Sequence, residues 1–551
     1  MAEETNGNAA ISDEDVIRLL PALAEAERAT EATAARFVPP RPGILEEVSA
    51  RRHQFVYGRR GVGKSTLLHR VAAVGSENNR AVIFVDIETL RGRPYPDVLI
   101  ELLKELLDHL EERLRADGRF TSWKRRKLRR RVRDLASAMS QLLQAPQLAE
   151  HTVSTLRSQA SQAKKGWSLG GSGQLGAQAH GAKATATAAG QIDRTDEKHE
   201  TAQATVAAKF EKTKMDGLVE AAILIRDVLG EAQKELEVPT LVVLDDFYHI
   251  PLDDQPDVLA YLHQIVKGLD ISLKVCGVRR LLRPYAAGDP PVGMQPEHDA
   301  GTIPLDITLE RFEVAKQFLE RVLSGISTPL GIELNRLLTD GGRERLVLAS
   351  GGVARDYLSL VRRALRNATE RPSHQWRVKN RITAEDVAQA ATDLYGQKQE
   401  ELKQDAGDEA EALRSRLSEI VRFCVETRRT NVFLVETTKL QEEDWGKDVE
   451  ALADLRFIHR VDTLSTKRGG ETYAGRKFAA FTLDLSTWTS TRSEQISPIN
   501  FWEREGRQKI RDPKLIYTPT AGEPVAVAAS PLAKDEQLTF EFEDPAAIPG
   551  D

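Results

Sequence analysis

Phe55-Val56-Tyr57-Gly58-Arg59-Arg60-Gly61-Val62-Gly63-Lys64-Ser65-Thr66 is the stretch that decides how the rest of the chain is read. A short apolar run, Phe55 to Tyr57, enters a glycine-rich loop, and the loop passes into a helix-like run from Thr66 to Val74. The spacing is G-x-x-x-x-G-K-S in a strand–loop–helix setting, the pattern of a phosphate-binding loop. Glycines let backbone N–H groups turn toward an anion without a Cβ in the way. The helix that follows adds its free amides and the positive end of its dipole. Lys64 is placed to reach the outer phosphates and the Ser65 hydroxyl to ligate Mg²⁺. The expected phosphate-contacting set is Gly58, Arg59, Arg60, Gly61, Val62, Gly63, Lys64, Ser65 and Thr66.

The chain has 551 residues, enough for about three domains. With 41% hydrophobic and 29% charged residues it has the composition of a globular protein, and a net charge of −6 gives no global signal for nucleic acid. Cys276 and Cys424 each sit in an apolar run, as buried thiols do, and suggest neither a disulfide framework nor a zinc site. The N-terminus is acidic, which argues against a signal peptide. No run approaches the roughly 18 apolar residues that span a bilayer. The expected compartment is the cytoplasm.

Residues 1–36 read as a polar tail and a helix over 13–36, followed by an extended, proline-rich linker from Phe37 to Gly43. Ala81–Asp86, Thr240–Asp246, Ile271–Val278 and Thr302–Ile307 are further continuous apolar runs, as in parallel strands covered on both faces. Alternating with helices, they predict an α/β fold with a parallel, doubly wound sheet over 37–309. More than a hundred residues separate the helix at Pro96–Arg115 from the strand at Thr240. A compact α/β unit connects such elements briefly, so 116–236 reads as a long helical insertion. It is basic at its start (Arg119–Arg133) and rich in Gly and Ala at 166–190, and its two long helices predict a protruding arm. Residues 310–400 are helical throughout and read as a lid. Thr383 is the expected cap of its last helix, with Asp386 three residues on. Residues 410–490 give helices followed by a hairpin, the layout of a winged helix. The remainder, 491–551, reads as a mostly disordered tail with an alternating segment at Asp535–Glu543.

Asp245 and Asp246 close an apolar strand, which predicts a Mg²⁺-binding Asp245 and an Asp246 that orients the attacking water. Arg279, Arg280 and Arg283 follow the fourth strand, at the end of a parallel sheet that faces ligand, and Arg279 is the first candidate for a phosphate sensor or an in-trans arginine. Arg125, Arg126, Arg129 and Arg130 in the insertion, with Lys467 and Arg468 between the last strands, are candidate phosphate-backbone contacts for DNA. Against this, the expected recognition helix carries Glu442, Glu443, Asp444, Asp448, Glu450 and Asp454, an acidity that suits a protein effector better than a DNA groove.

Gly58–Ser65, Leu241–Asp246, the strand ending at Arg279, Gly351-Gly352-Val353-Ala354-Arg355-Asp356 and a terminal winged helix together resemble the AAA+ ATPases, in particular the origin-recognition and initiator branch and its bacterial relatives. The resemblance spans residues 37–490 apart from the insertion. It implies ATP and Mg²⁺ as ligands, ATP hydrolysis, a homo-oligomer, and Arg355 as the lid sensor over the phosphates. The family commonly has Glu as its second strand-end acid and a polar residue such as Asn as its first sensor. Asp246 departs from that and implies slow turnover, and the Val278-Arg279 ending departs from it at the first sensor. The Asp-Asp pair also resembles the STAND signalling ATPases, which implies an alternative: a nucleotide switch that oligomerises and signals to an effector, as in bacterial defence.

Overall fold

The computed structural model describes residues 10–116, 123–144, 196–371, 380–465, 476–489 and 496–519. The chain divides into two compact units, 1–394 and 395–551.

The first unit is built on the apolar runs. Five strands, β1 (Gln54–Tyr57), β2 (Ala81–Asp86), β3 (Thr240–Asp245), β4 (Ile271–Gly277) and, past a two-stranded hairpin of β5 (Tyr285–Ala286) and β6 (Val292–Gly293), β7 (Gly301–Pro304), make one sheet in the order β2-β3-β4-β1-β7. All four pairings are parallel. Successive side chains along a strand point to opposite faces, and both faces are buried here. Phe55, Val242, Leu244 and Val275 join a cluster on one side. Val56, Leu241, Val243 and Cys276 join another on the reverse, with Leu67, Leu68 and Val71 of the helix Lys64–Glu77. The segment between β4 and β7 holds the short hairpin.

The described part of the insertion corrects the expected protruding arm. The helix Trp123–Gln144 buries Leu128, Val132, Leu135, Met139 and Leu142, at three- and four-residue spacing, in the same cluster as the sheet. Leu218, Ile225, Val228 and Leu229 of the helix Asp196–Leu236 do the same. An apolar stripe of that length needs cover, and stripping one Leu from it costs about 2–5 kcal/mol. The Gly/Ala-rich segment 166–190 lies outside the described residues.

The N-terminal segment forms two helices rather than one. Ser12 and Asp15 make a capping box at the head of Asp13–Ala26, and Thr30 caps a second, short helix, Glu31–Ala34. After β7 the chain is helical: Phe312–Ser327, Asp340–Ser350, Ala354–Thr369 and Ala384–Ala406. Thr383 caps the last of these, its backbone N–H donating to Asp386 Oδ2 at 2.7 Å. The division between the two units falls inside this helix.

The second unit contains a helix Ala410–Arg422, strand β8 (Val432–Glu436), helices Thr437–Glu442 and Asp444–Asp454, and strands β9 (Ile458–Ser465) and β10 (Lys477–Leu483). The strands form an antiparallel sheet in the order β8-β10-β9. Residues 496–519, expected in the disordered tail, pack on this unit instead. Tyr517 donates its N–H to Leu434 O at 2.8 Å, and Phe501, Ile510, Leu515 and Tyr517 are buried. The alternating segment Asp535–Glu543 lies outside the described residues.

Candidate functional site

The glycine-rich loop 58–63 leaves β1 at the carboxyl ends of the parallel strands, where the crevice of such a sheet lies. Gly58 N–H donates to Gly277 O at 3.2 Å, which ties the start of the loop to the end of β4. Gly61 and Gly63 have φ of +81° and +98°, a left-handed backbone that a side chain resists. The helix Lys64–Glu77 begins at Gly63 with no side-chain cap, so its first amides meet no competing side-chain acceptor. Lys64 is only 5% exposed, and its ammonium donates to Arg59 O at 3.1 Å. Val62 is buried, while Ser65 and Thr66 are half-buried on the first turn.

Two strands away, Asp245 is 4% exposed. It accepts a hydrogen bond from the Ser65 hydroxyl and another from the Asp246 N–H at 2.9 Å. Burial, and then the charge of Asp246, push its carboxyl up to about 6, against the pull of Ser65 and Lys64. A desolvated carboxylate beside a second one is a place short of positive charge. With the Ser65 hydroxyl it makes a hard-oxygen donor set, which fits Mg²⁺. Asp246 sits in a left-handed backbone at φ +48°, a conformation Asp tolerates better than most residues. Cys276 lies beneath the pair, and burial together with the Asp245 charge raises its thiol well above the usual range.

The third wall is helical. Arg355 N–H donates to Gly61 O at 3.0 Å. A Cβ added at Gly61 would lie 2.9 Å from Arg355 Cβ and 3.0 Å from Val353 Cγ1, so the loop and the helix Ala354–Thr369 touch because position 61 is glycine. Arg59 reinforces the contact. Its guanidinium donates to Asp306 Oδ1 (3.2 Å), Ile307 O (3.0 Å) and Gly351 O (3.0 Å). The N-terminal segment is part of the site as well: Arg362 pairs in a fork with Glu27, at 2.6 and 3.1 Å. The result is a cleft of about 1180 Å³ bordered by Ser65, Asp245, Asp246, Arg355, Arg362 and Glu27.

Ser65, Asp245, Asp246 and Arg355 thus converge on one cleft, with Lys64 beside them. Arg279 does not join them. It is exposed, with its guanidinium 5.7 Å from the centre of the Tyr57 ring. Arg283 pairs with Asp253 at 2.9 Å, and Arg60 lies 5.3 Å above the Tyr248 ring. Of the insertion arginines, Arg125 donates to Leu114 O at 3.0 Å and Arg129 pairs with Glu111 at 3.2 Å, so these two serve packing. Arg126 and Arg130 are exposed on the opposite face, together with Trp123 and Lys127. Lys467 and Arg468 lie outside the described residues.

Sequence reasoning missed Glu27 and Arg362, and also Glu88 and His249, which cluster with Asp246. Glu88 and His249 follow the ends of β2 and β3, so the rule that ligands sit beyond the carboxyl ends of parallel strands was the available signal. Burial holds His249 below the usual histidine range, even though Asp246 and Glu88 pull it upward. No helix among the described residues is long and apolar enough to cross a membrane.

No protein-family model matches the chain, and no curated protein matches its sequence. Among solved structures it is similar to the Orc1 protein of Aeropyrum pernix in complex with DNA, at 12% identity over 85% of this chain and 93% of that one, with a TM-score of 0.33. It is also similar to Cdc6p from Pyrobaculum aerophilum, at 11% identity over 82% and 94% with a TM-score of 0.30. A third is a point variant of RuvB from Thermotoga maritima, at 12% identity over 82% and 90% with a TM-score of 0.29. The chemistry of the cleft rests on this chain's own residues.

Proposed function

We propose that the chain is a Mg²⁺-dependent AAA+-type ATPase whose nucleotide state drives its assembly into a homo-oligomer on DNA. The observation that carries this is the convergence of Ser65, Asp245, Asp246 and Arg355 on one cleft behind an uncapped glycine loop. In this reading the amides of Gly61 to Ser65 hold the phosphates. The buried Lys64 ammonium offsets their charge. Ser65 and Asp245 hold Mg²⁺, which when bound polarises the phosphate oxygens. Asp246 orients the attacking water and accepts its proton. Arg355, fixed to Gly61 through its backbone, carries the phosphate state into the helical segment 310–394, which acts as a lid. The order helix, strand, two helices, hairpin in Ala410–Leu483 supports a winged-helix reading of the second unit. The exposed face bearing Trp123, Arg126, Lys127 and Arg130 suits a phosphate backbone.

The test is ATP turnover and particle mass with and without duplex DNA. The expected result is DNA-stimulated turnover, lost in Asp246→Asn with nucleotide binding retained. Robust hydrolysis by Asp246→Asn refutes the role given to that residue. Charge-neutral replacements at Arg126 and Arg130 should weaken DNA binding and flatten its salt dependence; unchanged binding removes this face from the reading.

The exposed position of Arg279 favours a second reading, a STAND-like switch in which nucleotide exchange drives oligomerisation and signalling to a protein effector. It predicts slow turnover and nucleotide-dependent assembly without DNA. A particle that stays monomeric in every nucleotide state sinks it.

A further inference from the structure

Two single 3₁₀ turns leave the sheet side by side next to the cleft. Ile87–Leu90 follows β2 and Phe247–His249 follows β3. The strands are in parallel register with Asp86 opposite Asp245, so the turns emerge at the same level. They bring a carboxylate oxygen of Glu88, one of Asp246 and a ring nitrogen of His249 within 4.8 Å of one another. The neighbouring acids are already engaged: Asp86 accepts from Glu88 N–H at 3.0 Å, and Asp245 accepts from Ser65 and Asp246. None of the three clustered side chains makes a hydrogen bond or ion pair with a described residue. Two carboxylates held this close repel one another unless a cation lies between them. The donors are mixed, two oxygens and one imidazole nitrogen. Mg²⁺ favours oxygens alone, whereas Mn²⁺ and Zn²⁺ accept this combination. Bonds of roughly 2.1 Å place neighbouring donors about 3–4 Å apart, so small side-chain rotations close the set.

We propose that Glu88, Asp246 and His249 form a second divalent-cation site of the transition-metal class, separate from the Mg²⁺ position of Ser65 and Asp245. Its consequence rests on the role proposed above for Asp246. A cation held by that carboxylate withdraws it from the attacking water, so the site acts as a brake on hydrolysis, set by metal and independent of nucleotide.

The test uses the full chain, stripped of metal and nucleotide, with one equivalent of Mn²⁺ observed by pulsed electron paramagnetic resonance. The expected result is ¹⁴N coupling from a directly bound imidazole, which the all-oxygen Ser65–Asp245 site would not give. His249→Ala should abolish that coupling, and Glu88→Gln should weaken Mn²⁺ binding at least about tenfold. Ser65→Ala should leave both unchanged. Absence of nitrogen coupling in the wild type overturns the proposal. So does coupling that survives His249→Ala, as a His69 or His109 ligand would give. Circular dichroism of each variant guards against misfolding, and His249→Gln serves as the alternative should the alanine variant unfold. A protein that binds Mn²⁺ in this way but never hydrolyses ATP would keep the site and discard the ATPase reading.

Discussion

Lys64 and Lys274 are both buried in the first unit, and they are built for different purposes. Lys64, at the start of the helix Lys64–Glu77, is 5% exposed and gives one hydrogen bond, to Arg59 O. Lys274, midway along the central strand β4, is fully buried and donates to Ala50 O at 2.6 Å, Arg52 O at 2.8 Å and Gln54 Oε1. An ammonium has three N–H donors. Lys274 spends all three within the fold and staples the segment 50–54 to the sheet. Lys64 keeps two in reserve beside a cleft. Burying a charge is costly in both places, but only at Lys274 does every donor meet an acceptor inside the fold. The one whose donors remain open is the one to associate with a ligand.

Breaking each lysine separates the two purposes. Lys64→Ala should lower affinity for Mg·ATP about a thousandfold, about 4 kcal/mol, by calorimetric titration. Its unfolding free energy should change by less than about 1 kcal/mol, since the removed donors face the cleft. Lys274→Met should do the reverse. It leaves three acceptors unpaired, costs roughly 3 kcal/mol in urea unfolding, and keeps nucleotide affinity within about threefold. If Lys274→Met abolishes nucleotide binding in a folded protein, the contrast fails.

Lys274 also sharpens the comparison through pH. Burial, and then Arg80, lower its ammonium from 10.5 to about 7. Below pH 7 it is protonated in both the folded and unfolded chain, so its burial cost is fully present. Between about 7 and 10.5 the unfolded chain binds more protons than the folded one, so stability rises with pH, by up to about 1.4 kcal/mol per unit. Lys274→Met should remove that slope in urea midpoints measured from pH 7 to 9.5. A slope equal to the wild type's would mean Lys274 keeps an ordinary proton affinity.

A smaller effect tests how the glycine loop is joined to the helix Ala354–Thr369. Gly61→Ala places a methyl 2.9 Å from Arg355 Cβ in a backbone that disfavours any side chain. It should weaken nucleotide binding about tenfold and raise protease cleavage around Gly351–Val353. An unchanged cleavage pattern would uncouple the loop from the helix Ala354–Thr369.

Much of this was legible because it is local. The loop, the acid pair and the strands are carried by contiguous residues, and the cap at Thr383 needs only Asp386. What was not legible depends on register between distant segments. Glu88 meets His249 because β2 and β3 align Asp86 with Asp245, and no spacing in the chain encodes that. Arg129 is spent on Glu111 because an apolar stripe turns the helix Trp123–Gln144 back along Asp97–Ala116. Charge density alone had suggested a free basic arm. Glu27, read only as part of an N-terminal helix, acquires meaning only when Arg362 is beside it.

Arg279 is the residue on which position in sequence and position in space disagree most, and it should give the smallest effect. It follows β4, at the edge where ligands sit, yet its guanidinium is exposed on the Tyr57 ring and absent from the cleft that Arg355 borders. An exposed cation–π contact contributes about 0.5–1 kcal/mol. Arg279→Ala should therefore lower stability by no more than that and leave Mg·ATP affinity of the monomer within about twofold. If Arg279 instead serves a neighbouring subunit, the same variant will bind nucleotide normally while its turnover no longer rises with protein concentration. Measuring turnover across a hundredfold dilution series separates the two outcomes, because only a residue acting in trans makes rate per chain depend on how many chains meet.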